Sequence, residues 1–506
     1  MTRKNMVPPD GGWGWVIVVA YALFNFLIIP ALQNFGLIFQ GKFKELQLSA
    51  TDESFVVTSG LAIGMLAGLS YGPLLKRYSF RIVCAVSGFL VSVGIITLMF
   101  ASAVYHFVIS YGIITSIGLS LGMTGYSYAL NSYFLKRRSF ATGFAFTITC
   151  LGSIAMPQLI SFLLFEYGVS GTCLLIGGLS LNSFVSATLL QPVEWHLKED
   201  TTAFQKDGKW YPVLHFRNNF PLAHAKKRVS IYTISLDELP SQTPDVRETE
   251  GNGMTAGEST TTISSDPNLR VIEEKRSAIK VFFYSLVNVF DLSLLRDKSF
   301  LNLLFGISFG AFAEQSFSVL TPFILADLGM GIQQIATFIS VLSLSDLIFR
   351  FITPFIGNYF KMTSRVMCMI SFALLMISRA CLLLPLDSYA VFMIVALGIG
   401  VAKGIRTVYW TLVIPDYVPI KMLPSATGFH MVLNGFFLLI GGPILGKYHF
   451  WVAKEISGNY VNCIYITNAI TLLALMMWLT EMIYKKCKQS KDEEEVSIDI
   501  EYSNVT

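Results

Sequence analysis

Long runs of apolar residues, separated by short polar stretches, repeat along most of this chain. Each run is close to the roughly 20 residues that a helix needs to cross the hydrocarbon core of a bilayer. The pattern predicts an all-α membrane protein with six spans on each side of a polar stretch. The predicted spans are 14–36, 54–75, 81–101, 105–130, 139–163, 170–191, 300–325, 333–357, 365–385, 388–414, 424–446 and 460–484.

The second half of the chain repeats a feature of the first. A basic turn at 73–81 follows the second predicted span, and another at 354–365 follows the eighth. Twelve transmembrane helices, a long central loop and this repeat fit two six-helix halves of the major facilitator type. A twelve-span channel or membrane enzyme is the structural alternative. The predicted divisions are an N-terminal half at 1–192, a cytosolic and largely disordered loop at 193–299, a C-terminal half at 300–484 and a cytosolic tail at 485–506.

Composition and charge agree with a membrane protein and predict its orientation. The chain is 53% hydrophobic and 14% charged, whereas about a quarter of the residues in a soluble protein are charged. Fourteen Lys and Arg residues lie on the side of the N-terminus, against four on the other side. Because cytosolic loops carry the excess of Lys and Arg, both termini are predicted to be cytosolic.

Two classes of function are not predicted. The basic residues lie at the ends of the predicted spans rather than in one stripe, so nucleic-acid binding is not expected. The histidines are scattered without the paired spacing of metal ligands, so we expect no metal site and no enzyme. They are His106, His196, His215, His224, His430 and His449. Nothing in the sequence predicts a cofactor.

Six charged residues lie well inside the predicted spans of the C-terminal half, away from the span ends. A charge at this depth is costly and usually faces a cavity or a partner. Arg379 is expected only to snorkel toward an interface. The other five residues carry one surplus positive charge, which favours an anionic or carboxylate-bearing substrate. The six are Glu314, Asp346, Arg350, Arg379, Lys403 and Arg406.

Asp346 and Arg350 are four residues apart and therefore share one face of a helix. One interpretation is a self-neutralising pair that lowers the cost of insertion. The other is a relay, in which protonation of Asp346 frees Arg350 to hold an anion. Intramembrane charges are seldom only structural, so we favour the relay.

Lys403 and Arg406 form a cationic stripe on the tenth predicted span. Two cations on one face need an anion, which is Glu314, the substrate or both. A buried ion pair that fixes helix packing is the alternative role for Glu314. Tyr409 and Trp410 follow on the same helix and are expected to line the substrate path.

Two short segments resemble the signatures of a known family. The segment DGGWGW, which begins at Asp10, predicts a turn followed by tryptophans at the membrane interface. It resembles the signature that opens the first helix of the monocarboxylate transporters, a family of solute carriers in the major facilitator superfamily. The segment YFLKRRSFATGFAF, from Tyr133, resembles the second signature of that family. The signature residues are Asp10, Gly11, Gly12, Trp13, Gly14, Trp15, Tyr133, Phe134, Lys136, Arg137 and Arg138.

The resemblance also implies roles for residues inside the spans. Asp346 and Arg350 match an eighth-helix pair that takes part in proton coupling and carboxylate binding in the family. Gln33 stands where lactate carriers have a lysine that takes the proton and then the carboxylate. Lys403 and Arg406 are not typical of lactate carriers, so the chain resembles divergent, invertebrate-like members. Our hypothesis is that a cation has moved from the first helix to the tenth.

The sequence therefore predicts a secondary transporter in the plasma membrane that moves a monocarboxylate or a related carboxylate-bearing solute by proton-linked alternating access. Arg350, Lys403 and Arg406 are expected to bind the anion, while Asp346 and Glu314 carry the proton. The first alternative is a proton-independent carrier of aromatic amino acids or other amphipathic solutes. The second is a receptor or scaffold that does not transport. The resemblance also implies a single-span partner of the immunoglobulin type.

Overall fold

The computed structural model describes residues 6–46, 50–199, 204–206, 209–211, 289–384, 388–455 and 462–503. Most of the predicted central loop, 212–288, lies outside the described residues, so the prediction of disorder stays a prediction. Within the part that is described, two short antiparallel ribbons accompany the helices. Strand β1, Met6–Val7, pairs with β2, Lys198–Glu199, and strand β3, Phe204–Lys206, pairs with β4, Lys209–Tyr211.

The N-terminal half begins with the helix Gly14–Gln33, which forms the first span. The second span bends by 43° between two helices. The third is capped by the Ser79 hydroxyl, which accepts a hydrogen bond from the Arg81 amide. The fourth contains a stretch of π-helix. The bounds are Phe35–Glu45 after the first span; Ala50–Leu66 and Gly68–Arg77 for the second; Phe80–Thr97 and Leu98–Phe100 for the third; Val104–Phe107, Val108–Thr115 and Ser116–Tyr133 for the fourth.

The fifth and sixth spans lie in one helical stretch, Arg138–Ser180, followed by Ser183–Leu189. This stretch reverses at Gly168, whose φ of 64° lies in the region that glycine adopts most easily. The sequence predicts a break at 164–169, and Gly168 supplies it.

The C-terminal half opens with a short 3₁₀ turn, Leu292–Arg296. The last helix continues beyond the predicted end of its span at 484, because the Lys- and Glu-rich residues that follow are good helix formers. The seventh to tenth spans are Lys298–Asp327, Ile332–Tyr359, Ser364–Cys381 and Tyr389–Tyr417; the eleventh is Ile420–Met422 with Leu423–Glu455, and the twelfth lies in Asn462–Ser503.

The helices confirm a multi-pass membrane fold. Within the described ranges, ten helical stretches are long and apolar enough to cross a bilayer, and the bent second span makes eleven. One of the ten, from Arg138 to Leu189, is 52 residues long and contains the reversal at Gly168. Because a single crossing needs only about 20 residues, this stretch accounts for two spans and brings the number to twelve.

Glycines bring the two halves into close contact at two crossings. A Cβ atom on Gly72 of the second span would lie 2.6 Å from Ser425 Oγ of the eleventh. A Cβ atom on Gly143 of the fifth span would lie 2.6 Å from Pro354 Cγ and 3.0 Å from the Arg350 carbonyl oxygen of the eighth. Only small residues permit such close approach. The second crossing places the fifth span against the residues that carry the intramembrane charges.

Candidate functional site

Asp346 and Arg350 form a two-point ion pair inside the eighth span. Arg350 Nε donates to Asp346 Oδ1 and Nη2 donates to Oδ2, each at 2.7 Å. Only 3% of Asp346 is exposed. Arg350 Nη1 also donates to the carbonyl of Phe146 in the fifth span at 3.4 Å. Two parallel hydrogen bonds are the strong form of an arginine–carboxylate pair. Through its bond to Phe146, Arg350 also joins the C-terminal half to the N-terminal half.

Glu314 of the seventh span lies between two arginines from two other spans. Its Oε2 accepts a hydrogen bond from Arg379 Nη2 at 2.9 Å, and its Oε1 is 3.2 Å from Arg406 Nη2. Arg379 is fully buried, and its guanidinium also reaches Thr471 Oγ1 at 3.3 Å and the ring of Phe317 at 4.3 Å. The expectation that Arg379 snorkels toward an interface is therefore wrong. Its carboxylate partner, Glu314, lies on a different helix and stabilises the Arg379 guanidinium in its buried position.

Lys403 differs from the other cations of this half. Its side chain is half-buried, and among the described residues no carboxylate oxygen lies within 4 Å of its ammonium group. Lys403 is three residues before Arg406, the partner of Glu314, on the same helix.

A glycine between these two cations lets the tenth span approach the eighth span closely. A Cβ atom on Gly404 would lie 2.9 Å from the Asp346 carbonyl oxygen and 3.1 Å from the Arg350 nitrogen. The tenth span is thus pressed against the eighth at the level of the Asp346–Arg350 pair. Lys403 and Arg406, which flank Gly404, are held at that same level.

A second set of side chains continues from Arg406 into the eleventh span. The Arg406 guanidinium carbon lies 5.5 Å from the centre of the Trp410 ring, and Trp410 meets His430 edge to face at 5.9 Å. His430 Nε2 and Asn434 Nδ2 are 3.0 Å apart. In the sequence, His430 is one of six scattered histidines. Its position beside Trp410 could not be predicted, because it depends on the packing of the tenth span against the eleventh.

The remaining predicted site residues are placed differently. Tyr409 is 3% exposed and packs in the hydrophobic core of the C-terminal half, so we leave it out of the proposed substrate path. Gln33 is exposed at the end of the first span, where its Oε1 accepts a hydrogen bond from Ser153 Oγ of the fifth span at 3.3 Å. Gln33 thus belongs to the N-terminal half, whereas the six intramembrane charges belong to the C-terminal half.

The two signature segments bind each other through Asp10. Its Oδ1 accepts hydrogen bonds from the amides of Leu135, Lys136 and Arg137 at 2.7, 2.8 and 3.3 Å. The Asp10 amide in turn donates to the Tyr133 carbonyl at 3.2 Å. Asp10 therefore accepts hydrogen bonds from three successive amides of the turn that precedes the fifth span, which begins at Arg138.

The other signature residues pack around this contact. Gly12 has a φ of 57°, which makes the predicted turn, and a Cβ atom on Gly14 would lie 2.9 Å from Phe134 Cζ. Trp15 meets Phe134 at 5.5 Å, and Trp13 stacks on His196 and donates to the Leu189 carbonyl. The solvent-exposed members are Gly12, Lys136 and Arg137, while Gly11 is half-buried.

Arg138, the last signature residue, connects the two halves. It is 7% exposed and donates to the Phe134 carbonyl of its own half at 2.6 Å. It also donates to the Pro415 carbonyl of the tenth span at 3.0 Å, and it lies 3.8 Å from the Asp416 carboxylate. Lys76 and Asp291 form a further ion pair nearby. Both contacts lie at the predicted cytosolic end of the spans.

Comparison with known proteins identifies the family. A sequence profile of the Major Facilitator Superfamily matches residues 14–441. The chain belongs to the major facilitator superfamily. This is a superfamily of transporters rather than of enzymes. The match confirms the predicted fold class.

Curated proteins that are similar in sequence to this chain include several monocarboxylate transporters. The chain is 31% identical over 203 residues to monocarboxylate transporter 13 of Rattus norvegicus, covering 40% of this chain and 46% of that protein. It is 24% identical over 511 residues to monocarboxylate transporter 1 of Bos taurus, covering 97% of this chain and 92% of that protein. The alignment with the first relative thus spans about half of that relative's length. Similarity to monocarboxylate transporters is confirmed.

Two solved structures share the fold of this major facilitator protein. The proton:xylose symporter XylE, bound to 6-bromo-6-deoxy-D-glucose, matches with a TM-score of 0.57 and 12% identity, covering 92% of this chain and 94% of XylE. FucP in the outward conformation matches with a TM-score of 0.57 and 11% identity, covering 92% of this chain and 99% of FucP. At such identities the match shows the fold alone.

Proposed function

We propose that this protein moves a monocarboxylate or a related carboxylate-bearing solute across the plasma membrane by alternating access. The observation that carries the proposal is Lys403, an ammonium inside the spans without a carboxylate within 4 Å among the described residues. An intramembrane cation almost always faces a partner or a water-filled cavity and marks a substrate pathway. Because Lys403 lies at the depth of the Asp346–Arg350 pair, an incoming carboxylate meets a ready partner there.

Proton linkage is supported by the geometry of the ion pair. Arg350 has both of its contacts to Asp346 on one side of the guanidinium. Protonation of Asp346 would remove its charge and release Arg350 for the carboxylate of the substrate. In this proposal the proton and the anion enter together, so uptake rises with an inward proton gradient.

Alternating access is supported by the contacts of Arg138. Its bond to Pro415 and the ion pair of Lys76 with Asp291 hold the two halves together at the predicted cytosolic end. In the proposed cycle these contacts break when the protein opens toward the cytosol. The excess of basic residues at this end supports cytosolic termini.

A proton-independent carrier is the second candidate, and Gln33 favours it. The neutral amide of Gln33 accepts a hydrogen bond from Ser153. Unlike a lysine side chain, it cannot take up and release a proton. Uptake measured with and without an inward proton gradient separates the two candidates. Equal uptake under both conditions would favour the proton-independent carrier.

A receptor or scaffold that acts through the central loop is the candidate from another class. Deletion of residues 200–270 would then abolish function, whereas a transporter keeps most of its uptake. The single-span immunoglobulin-type partner rests on the resemblance alone. Its test is whether such a protein changes the amount of this transporter at the cell surface when the two are expressed together.

Uptake of labelled solutes into cells that express the protein tests the proposed function. The panel is lactate, pyruvate, butyrate, aromatic amino acids and carnitine-like solutes. We expect saturable uptake of at least one carboxylate, and Lys403→Gln should weaken it about tenfold or more, the value of a hydrogen bond to a charged group. Lys421→Gln, the same change at an exposed lysine, is the matched control. Uptake of no member of the panel above the level of untransfected cells would contradict the proposal.

A further inference from the structure

The burial of Arg379 changes the charge balance of the spans. Within the described ranges, the charged residues well inside the spans of the C-terminal half are two carboxylates and four cations. Without Arg379 the surplus is one positive charge; with it the surplus is two. The carboxylates are Glu314 and Asp346, and the cations are Arg350, Arg379, Lys403 and Arg406.

Neither carboxylate has an oxygen without a cationic partner. Both oxygens of Asp346 accept from Arg350. Glu314 gives Oε2 to Arg379 and Oε1 to Arg406. The two carboxylates are thus engaged by three guanidinium groups, and among the described residues neither carboxylate lies within 4 Å of the Lys403 ammonium group.

The two cations left with too little negative charge are Lys403 and Arg406. Arg406 receives one Glu314 oxygen at 3.2 Å, and its buried Nε, like that of Arg379, has no hydrogen-bond partner among the described residues. Lys403 and Arg406 are three residues apart on the tenth span, so their side chains lie on one face of it. Arg379 is fully buried and cannot meet a substrate.

We propose that the preferred substrate of this site is a short dicarboxylate rather than a monocarboxylate. This rests on the proposed function, that the protein transports carboxylates. While Asp346 is ionised, a dianion would neutralise the two surplus charges completely, and its two carboxylates would pair with Lys403 and Arg406. A monoanion would leave one charge uncompensated inside the spans, where this is costly.

Butyrate and succinate test the proposal, because both have four carbons and differ by one carboxylate. Uptake of each labelled acid is measured in cells that express the full chain at pH 7.4, with cross-competition between them. We expect succinate to be taken up in preference to butyrate by about tenfold, the value of one added hydrogen bond to a charged group.

Lys403→Gln removes one surplus charge and leaves no acid without a partner, so the variant should fold. Its ratio of succinate to butyrate uptake should fall about tenfold. Arg406→Gln should lower the same ratio. Glu314 keeps its bond to Arg379 in this variant, so the acid is not left without a partner. Lys421→Gln is the control, and the amount of each variant at the cell surface normalises the rates.

The outcomes distinguish this proposal from the proposed function. Saturable butyrate uptake that succinate neither shares nor inhibits would overturn the dicarboxylate and leave carboxylate transport standing. A succinate preference that both substitutions leave unaltered would overturn the roles of Lys403 and Arg406. Uptake of neither acid, nor of any other carboxylate, would overturn the proposed function itself.

Discussion

Arg379 Nη2 lies 2.9 Å from Glu314 Oε2, and this bond joins the ninth span to the seventh at a point where Arg379 has no exposed surface. Such a pair is costly to break, because removal of one partner leaves an uncompensated buried charge.

We predict that Arg379→Gln destabilises the protein strongly, by about 3–5 kcal/mol, the cost of breaking a buried ion pair. The measurement is thermal unfolding of the purified protein in detergent, together with its amount at the cell surface. Arg365→Gln is the comparison, because Arg365 also pairs with an acid, Glu481, but is partly exposed. If Arg379→Gln unfolds no earlier than Arg365→Gln, the buried pair has little structural weight.

Asp346→Asn is predicted to uncouple uptake from the proton gradient. Asparagine is neutral, as protonated aspartate is, so it would release Arg350 permanently. The measurement is the ratio of carboxylate uptake with and without an inward proton gradient, which should approach unity in the variant.

Arg350→Gln is the companion change and should abolish saturable uptake, since it removes the cation that Asp346 releases. A gradient-dependent Asp346→Asn variant would exclude the relay and leave the self-neutralising pair as the explanation.

Asp10→Ala is predicted to destabilise the contact between the two signatures by about 1.5–3 kcal/mol, the contribution of a hydrogen bond to a charged group. The alanine leaves the amides of Leu135 and Lys136 without their acceptor. Asp10→Asn keeps an oxygen and should cost less. Thermal unfolding of both variants checks the order, and equal unfolding temperatures for Asp10→Ala and the unaltered protein would contradict it.

Gly143→Ala is predicted to disturb the crossing of the fifth and eighth spans. Its Cβ atom would lie 2.6 Å from Pro354 Cγ, so the helices must separate, at a cost of about 1–3 kcal/mol. Gly178→Ala is the matched control, because nothing lies within 4 Å of its Cβ position. Uptake per molecule at the surface should fall for Gly143→Ala alone; a similar fall in both would point to helix propensity instead.

Local patterns in the sequence predicted the parts that depend on near neighbours. The spacing of Asp346 and Arg350 is enough to predict their pairing, and the length of the apolar runs is enough to predict the spans. The break at Gly168 also follows from the two runs on either side of it.

Partners on different helices could not be predicted in the same way. Glu314 and Arg379 are 65 positions apart, and Asp10 reaches amides about 125 positions away. Only helix packing brings such groups together, so the sequence left Arg379 at an interface and His430 among scattered histidines. The burial of Tyr409 against the core has the same origin.

In the mechanism that we propose, Lys403 holds a carboxylate during transport. Its most direct test uses purified protein in lipid vesicles, with the best carboxylate of the uptake panel and the neutral amide of the same acid. We expect saturable entry of the carboxylate but not of the amide, and about tenfold weaker entry of the carboxylate for Lys403→Gln with no change for Lys421→Gln. Equal entry of acid and amide, or equal rates for Lys403→Gln and the unaltered protein, would contradict it.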